Sequence, residues 1–195
     1  MLTQILGWSL AIASTLTILP TPIKLYRKNS SAGISLLTCF MATVAMLAWC
    51  FYTFSLRDYP ALASSLGPLI CWFAAICILA LKYGESKAVI YLVALIPITA
   101  LLLLLPKNLQ GVVAVTGSLL WAIPQLKKAI TLNDLAGVSV LSYLFVALEN
   151  LAWVIYAVLT THYAYAYAPL LQGPVAVVIA LKALKNKKYK LQKYK

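Results

Sequence analysis

The sequence predicts an all-α integral membrane protein with seven transmembrane helices, arranged as two parallel triple-helix repeats joined by a linker helix. Composition, the spacing of charges and an internal repeat support this prediction. Of the 195 residues, 63% are apolar and 10% are charged, and the mean hydropathy is +0.91. An ordinary soluble domain is roughly 45–50% apolar. A chain this short and this apolar is incompatible with a soluble enzyme and with a disordered protein.

Charged residues divide the chain into seven apolar runs, each close to the length of about 20 residues that a helix needs to cross a bilayer. The first run has neither a positively charged start nor a small-residue cleavage site, so we interpret it as a membrane helix and not as a signal peptide. The fourth and fifth runs are separated by a tight connection at Lys107, and the sixth contains a single acid, Glu149. The runs are 1–23, 29–56, 59–81, 88–106, 108–126, 135–161 and 162–181.

The distribution of positive charge predicts the orientation, because Lys and Arg near helix ends resist translocation. The loops after the first, third and fifth helices, together with the C-terminal tail, carry 14 of the 16 positive residues. Only Arg57 and Lys107 lie in the other loops. We therefore expect the N-terminus outside and the C-terminus in the cytoplasm.

The net charge of +12 does not indicate nucleic-acid binding, because the positive residues are confined to short loops and one basic tail. The four cysteines lie within apolar runs, and no two of them form a Cys-x-x-Cys motif. The whole chain has one His. Zinc sites require closely spaced Cys and His. We expect no metal, no cofactor and no nucleic-acid partner.

An internal repeat appears when the chain is aligned with itself at an offset of 104 residues. Segments 20–59 and 124–163 then share 12 of 40 residues, including Pro, Asn, Gly, Trp and Tyr pairs that membrane composition alone would not align. Three helices per copy is an odd number, so a linker helix is needed for both copies to point the same way. The predicted domains are 1–82 (first repeat), 88–106 (linker), 108–184 (second repeat) and 185–195 (basic cytoplasmic tail).

The repeated segments resemble a known motif. "IPQLKKAITLNDLAGVS" (123–139) looks like a PQ-loop, and "LPTPIKLYRKNSSAGIS" (19–35) looks like its first copy, with Thr21 in place of the Gln. Two such copies in a seven-helix chain are similar to the PQ-loop superfamily, which includes SWEET sugar transporters, cystinosin-like amino-acid transporters and KDEL receptors. The resemblance implies a SWEET-like fold and a transporter of a small solute.

Two prolines are candidate hinges. Pro20 and Pro124 have no N–H, so the carbonyl four residues earlier in each helix loses its partner. In a membrane that carbonyl must find another donor, and the Gln125 side chain can supply one. A static kink at each proline is the alternative.

Glu149 is the most informative residue, because it is the only acid within a predicted span and lies near mid-membrane. Acids at that depth usually face a cavity and mark a solute or proton pathway. Trp153 and Tyr156 follow at helical spacing on the same face, and Asn150 could add amide hydrogen bonds. The repeat counterpart of Glu149 is Ala45, so the predicted site is asymmetric.

The first repeat supplies the remaining candidates for solute binding. Trp49 and Tyr52 are the repeat counterparts of the second aromatic pair, and in SWEET-like proteins the corresponding tryptophans contribute to the pocket. An aromatic belt at the membrane interface is an equally good interpretation of these four rings. Ser64 stands where many SWEET-like proteins have an Asn; the second such position holds Leu170. This difference, and the absence of Pro from the second and sixth helices, weaken a sugar assignment.

We expect an alternating-access transporter of a small polar solute, facilitative and sugar-like. The alternatives are a proton-coupled carrier of amino acids or other metabolites using Glu149, and a PQ-loop sorting receptor. An enzyme is disfavoured, because no nucleophile elbow, zinc-binding helix or phosphate loop occurs. The expected partners are the solute, the bilayer and, in one alternative, protons; a monomer carries both repeats, and a homo-oligomer is compatible with them. In a bacterium the location would be the inner cell membrane, otherwise an organelle or plasma membrane.

Overall fold

The computed structural model describes residues 1–27, 35–131 and 140–193. All regular structure in these ranges is helical, which confirms the predicted all-α class. The helices are α1 (Leu2–Ile18), α2 (Pro20–Arg27), α3 (Leu36–Ser55), α4 (Tyr59–Leu81), α5 (Ser86–Leu104), α6 (Lys107–Thr131), α7 (Val140–Thr160) and α8 (Ala164–Lys193).

Within the described chain, six helical segments are long and apolar enough to cross a membrane. They correspond to α1 with α2, to α3, α4, α5 and α7, and to the first part of α8. The fifth predicted span lies in α6. The multi-pass membrane protein predicted from composition is therefore confirmed.

Helix ends agree best with the sequence where a capping residue stands next to a charge. The predicted third span, 59–81, coincides with α4, which begins after Asp58, whose carboxylate accepts a hydrogen bond from the N–H of Ala61 at 3.2 Å. The last helix differs most: α8 continues through the predicted basic tail to Lys193. Beyond Pro174 its sequence contains neither Gly nor Pro, so nothing interrupts the helical hydrogen bonds.

Pro20 interrupts the first membrane segment. The N–H of Leu19 still donates to Thr15 O at 2.9 Å, but α1 ends at Ile18 and α2 begins at the proline, which suits the first position of a helix. The backbone of Leu19 stays in the right-handed helical region, with φ −48° and ψ −38°. The interruption is therefore a local loss of hydrogen bonding within a nearly continuous helix.

The C-terminal end of α2 is held by the loop after α4. Lys82 donates to the carbonyl of Tyr26, and the hydroxyl of Tyr83 donates to Leu25 O at 2.9 Å. The Lys82 ammonium also lies 5.4 Å from the ring centre of Tyr26 and 5.5 Å from that of Tyr83. A cation at this position stabilises the free carbonyls and the negative end of the helix dipole.

Internal contacts divide the chain into two compact units, Met1–Ser118 and Leu119–Lys195. In the first unit, α4 packs against α1, α2, α3 and α5, so it is the central helix. In the second unit, α7 packs against α8, as its repeat counterpart α3 packs against α4. The first unit includes the predicted linker helix and the beginning of α6; the division into triple-helix repeats stays a prediction.

Helix α1 crosses α4 at a glycine. A Cβ atom on Gly67 would lie 1.9 Å from Thr15 Oγ1 and 2.9 Å from Thr15 Cβ, so no side chain fits there. In the second unit a Cβ on Gly173 would lie at an ordinary 3.4 Å from Asn150 Cβ. Small residues let membrane helices approach closely, since packing and not water exclusion stabilises their association.

The four cysteines are unpaired thiols. Cys39, Cys50 and Cys71 are buried, and Cys77 is half-buried on α4.

Candidate functional site

Glu149 lies near the midpoint of α7 and is half-buried. Trp153 and Tyr156 follow one and two helical turns later, so the three side chains share one face of the helix. The rings of Trp153 and Tyr156 form an edge-to-face pair with centres 5.6 Å apart and planes at 84°. The structure thus places the acid and the aromatic pair on one face, as the spacing predicts.

The aromatic pair of α7 belongs to a larger cluster that the sequence did not reveal. Tyr165, at the start of α8, lies 5.9 Å from Trp153 and 6.0 Å from Tyr156 between ring centres. The ring of His162 lies 5.7 Å from that of Tyr165 at 84°. Tyr156 and Tyr165 are buried, so this end of the cluster is a packed junction between α7 and α8.

No repeat signal could have found Tyr165, because its counterpart at the same offset is Ala61. His162 could have been noticed as the only histidine of the chain.

Asn150 is buried and faces α8. Its Nδ2 donates to Val146 O at 2.7 Å, and its Cβ is the atom nearest to the side-chain position of Gly173. One N–H of the side-chain amide of this predicted binding residue is therefore used by its own helix. Asn150 lies one position from Glu149, which places the two about 100° apart around the helix axis.

The first aromatic pair packs on α6 within the first unit. Trp49 and Tyr52 also meet edge-to-face, with ring centres 5.8 Å apart and planes at 67°. Trp49 Nε1 donates to Ser118 Oγ at 2.8 Å, and the ring of Tyr52 lies 3.0 Å from the position of a Cβ on Gly111. Both rings are half-buried. The repeat thus preserves the geometry of the pair, and in the first unit the pair lies against a helix.

Ala45 shows why the first copy has no acid. A Cβ on Gly117 of α6 would lie 2.9 Å from Ala45 Cβ and 3.3 Å from its Cα, so α3 and α6 are nearly in backbone contact there. Ala45, Ala48 and Ala114 are fully buried around this crossing. A carboxylate would not fit at position 45, whereas the equivalent position on α7 holds Glu149.

Ser64 is buried in α4, and its hydroxyl donates to Ala61 O at 2.7 Å. Of the candidate hinges, Pro20 begins α2, as described above. Pro124 and Gln125 lie in α6, but their side chains fall outside the described part of the structure. The same holds for the loop segments 28–34 and 132–139 of the two PQ-loop-like motifs.

Among the described residues, no group of three or more His, Cys, Asp or Glu side chains could hold a metal ion. The cysteines lie on α3 and α4 of the first unit. The side chains brought together on α7 are a carboxylate and aromatic rings. This combination suits hydrogen bonding to a polar solute and stacking against its apolar faces.

Comparison with known proteins now identifies the fold. Residues 2–62 match the family model described as "PQ loop repeat". The solved structure titled "The 3.7 A resolution structure of a eukaryotic SWEET transporter" superimposes with a TM-score of 0.78 at 13% identity, covering 96% of this chain and 100% of that chain. No curated protein sequence is significantly similar to this chain.

Residues 2–62 match a PQ-loop repeat, and the chain has the SWEET fold.

The matched PQ-loop segment contains α1, α2 and α3, which is the copy with Thr21 in place of the Gln. The coverage of the SWEET structure extends over both compact units.

Proposed function

We propose that this protein is a membrane transporter that carries a small polar solute and exposes its binding site alternately to the two sides of the membrane. The observation that supports the proposal most is the SWEET fold, which extends over 96% of the chain. Facilitated movement of a sugar-like solute is the first candidate.

In this proposal the face of α7 that carries Glu149, Trp153 and Tyr156 binds the solute. The carboxylate accepts hydrogen bonds from hydroxyl or amine groups, and the half-buried ring of Trp153 contacts the apolar face of the solute. The buried ring of Tyr156 packs edge-to-face against Trp153 and orients it. Trp49, Tyr52, Ser64 and Asn150 stay predicted contributors. The prolines Pro20 and Pro124, with Gln125, stay predicted hinges.

Glu149 favours a second candidate, the proton-coupled transport of an amino acid or another small metabolite. A carboxyl group at mid-membrane can take up a proton on one side and release it on the other, and such acids mark proton relays. In this case the solute and the proton share the α7 face. The sorting-receptor alternative would predict peptide binding without flux.

Counterflow in proteoliposomes of the purified protein distinguishes these candidates. Labelled hexoses, disaccharides and amino acids are tested with and without an imposed pH gradient, in wild type and in Glu149→Gln. Glu85→Gln is the matched control, because Glu85 is an exposed acid at the start of α5 with no side-chain cap hydrogen bond.

A facilitator would accumulate sugar independently of pH, and Glu149→Gln would change its affinity. A coupled carrier would accumulate amino acid with the gradient, and Glu149→Gln would remove the dependence on pH. Peptide binding without flux of any solute would overturn the transporter proposal in favour of a receptor. Equal losses in Glu149→Gln and Glu85→Gln would show that α7 has no special role.

A further inference from the structure

A groove of about 470 Å³ lies along the first membrane segment, on the side of α1 and α2 that faces away from the first unit. Gly7, Leu10 and Ala11 of α1 and Pro22 and Leu25 of α2 form the buried side, against the rest of the unit. At 3.6 residues per turn, the groove residues fall on the opposite side of the helix. They are Leu16, Leu19, Pro20, Ile23, Lys24 and Arg27.

The groove is apolar over most of its length and cationic at one end. Leu16, Leu19 and Ile23 are exposed hydrophobic side chains within the membrane-spanning segment. Lys24 and Arg27 follow at the end of α2, both exposed, and none of the described residues that line the groove is acidic. The order along the helix is therefore apolar side chains in the membrane and positive charge at its surface.

Pro20 lies within the groove, at the point where α1 ends and α2 begins. The position of α2 is fixed independently by Lys82 and Tyr83, which bind its last carbonyls. The cations thus project from a short helix that is anchored at its C-terminal end.

We propose that this groove binds one anionic phospholipid, with its phosphate between Lys24 and Arg27 and an acyl chain along Leu16, Leu19 and Ile23. The guanidinium of Arg27 can donate two parallel hydrogen bonds to phosphate oxygens, and the Lys24 ammonium adds a point charge. The predicted orientation places this end at the cytoplasmic leaflet, where anionic lipids are attracted by basic residues near the membrane surface. A soluble anion would use the cations and leave the apolar part of the groove empty.

Native mass spectrometry of the full chain in a neutral detergent tests the proposal. The probes are phosphatidylglycerol, phosphatidylcholine with the same acyl chains, and glycerol 3-phosphate as the headgroup without chains. We expect phosphatidylglycerol to bind several-fold more tightly than phosphatidylcholine, and glycerol 3-phosphate not to displace it. Equal binding of the two lipids would overturn the proposal, and displacement by glycerol 3-phosphate would replace the lipid by a free phosphate ester.

Two double variants and one control locate the site. Lys24→Gln with Arg27→Gln should lower the affinity for phosphatidylglycerol several-fold, to the level of phosphatidylcholine. Leu16→Ala with Ile23→Ala keeps the cations and should weaken both lipids. Lys87→Gln with Lys185→Gln removes two exposed cations from the same predicted side and should change neither. Retention of the phosphatidylglycerol preference in the first variant, or its equal loss in the control, would refute a site at α2.

Discussion

Arg57 and Thr161, which occupy the same position in the two repeats, share a left-handed backbone conformation, with φ of 56° and 59°. Each ends a helix in the same way: the N–H of Arg57 donates to Phe54 O at 3.0 Å, and that of Thr161 donates to Val158 O at 3.3 Å. The residue types at these positions differ between the copies, but the backbone geometry is the same. The repeat therefore extends to the turns between α3 and α4 and between α7 and α8.

Replacing either residue by glycine should stabilise the protein. The left-handed region costs a residue with a Cβ roughly 1–2 kcal/mol, and Thr161 is β-branched, which makes the position still less favourable. We expect Arg57→Gly and Thr161→Gly each to raise the midpoint of thermal unfolding in detergent by about 2–4 °C. Gly84→Ala is the reverse control, since Gly84 has φ 64° with no atom near its Cβ position; it should lower the midpoint. A decrease in both glycine variants would contradict this reading of the turns.

The crossing of α1 and α4 should not tolerate a methyl group. Gly67→Ala places a Cβ against Thr15 Oγ1 and Cβ, and overpacking of this kind costs about 1–3 kcal/mol. Gly173→Ala is the matched variant in the other unit, where the nearest atom lies at 3.4 Å, and it should change thermal stability far less. Adding Thr15→Ala to Gly67→Ala removes Oγ1 and Cγ2 and should recover part of the loss. Equal melting temperatures for the two alanine variants would disprove the close approach.

Gln110 should stabilise the turn between α5 and α6. Pro106 cannot donate to the carbonyl of Leu102, and the buried amide of Gln110 donates to that carbonyl at 3.0 Å while accepting from Ser55 Oγ at 3.3 Å. Gln110→Leu leaves the carbonyl with only the longer 3.3 Å bond from Leu105 N, so we expect a loss of about 1–2 kcal/mol in unfolding free energy. Gln4→Leu, at an exposed position of α1, is the control and should be neutral.

Trp49 and Ser118 should be energetically coupled. Their hydrogen bond joins α3 to α6 at 2.8 Å, and side-chain hydrogen bonds between membrane helices contribute about 0.6–1.7 kcal/mol in double-mutant cycles. Trp49→Phe and Ser118→Ala should each destabilise, and the double variant should lose less than the sum. Strict additivity in thermal or denaturant unfolding would show that the bond contributes nothing.

Much of the fold could be predicted, because each membrane-spanning helix corresponds to a long run of residues with few or no charges. The run 59–81 coincides with α4, whose start is marked by Arg57, Asp58 and a proline at the beginning of the helix. The sequence predicts the ends of α1 and α8 less accurately, because a charged residue does not by itself end a helix. Lys24 and Arg27 continue the first segment as α2, and the basic tail continues α8.

The candidate site was only partly predictable from the sequence. Helical spacing placed Glu149, Trp153 and Tyr156 on one face, because all three lie on one helix. The partners from other helices were not visible: Ser118 is 69 positions from Trp49, and Tyr165 belongs to the next helix. Helical periodicity shows which face of its own helix a residue occupies. It does not show which residue of another helix packs against that face. For the same reason the sequence could not predict that Asn150 on α7 packs against Gly173 on α8.

The placement of the thiols makes the native chain a convenient background for spectroscopic labels. Cys39, Cys50 and Cys71 are buried, and Cys77 lies in an apolar helix, so a water-soluble maleimide should react with them slowly. A single cysteine introduced at an exposed loop position such as Glu85 would then take a fluorophore or spin label selectively. Distance changes during a transport cycle could be followed without first removing the protein's own cysteines.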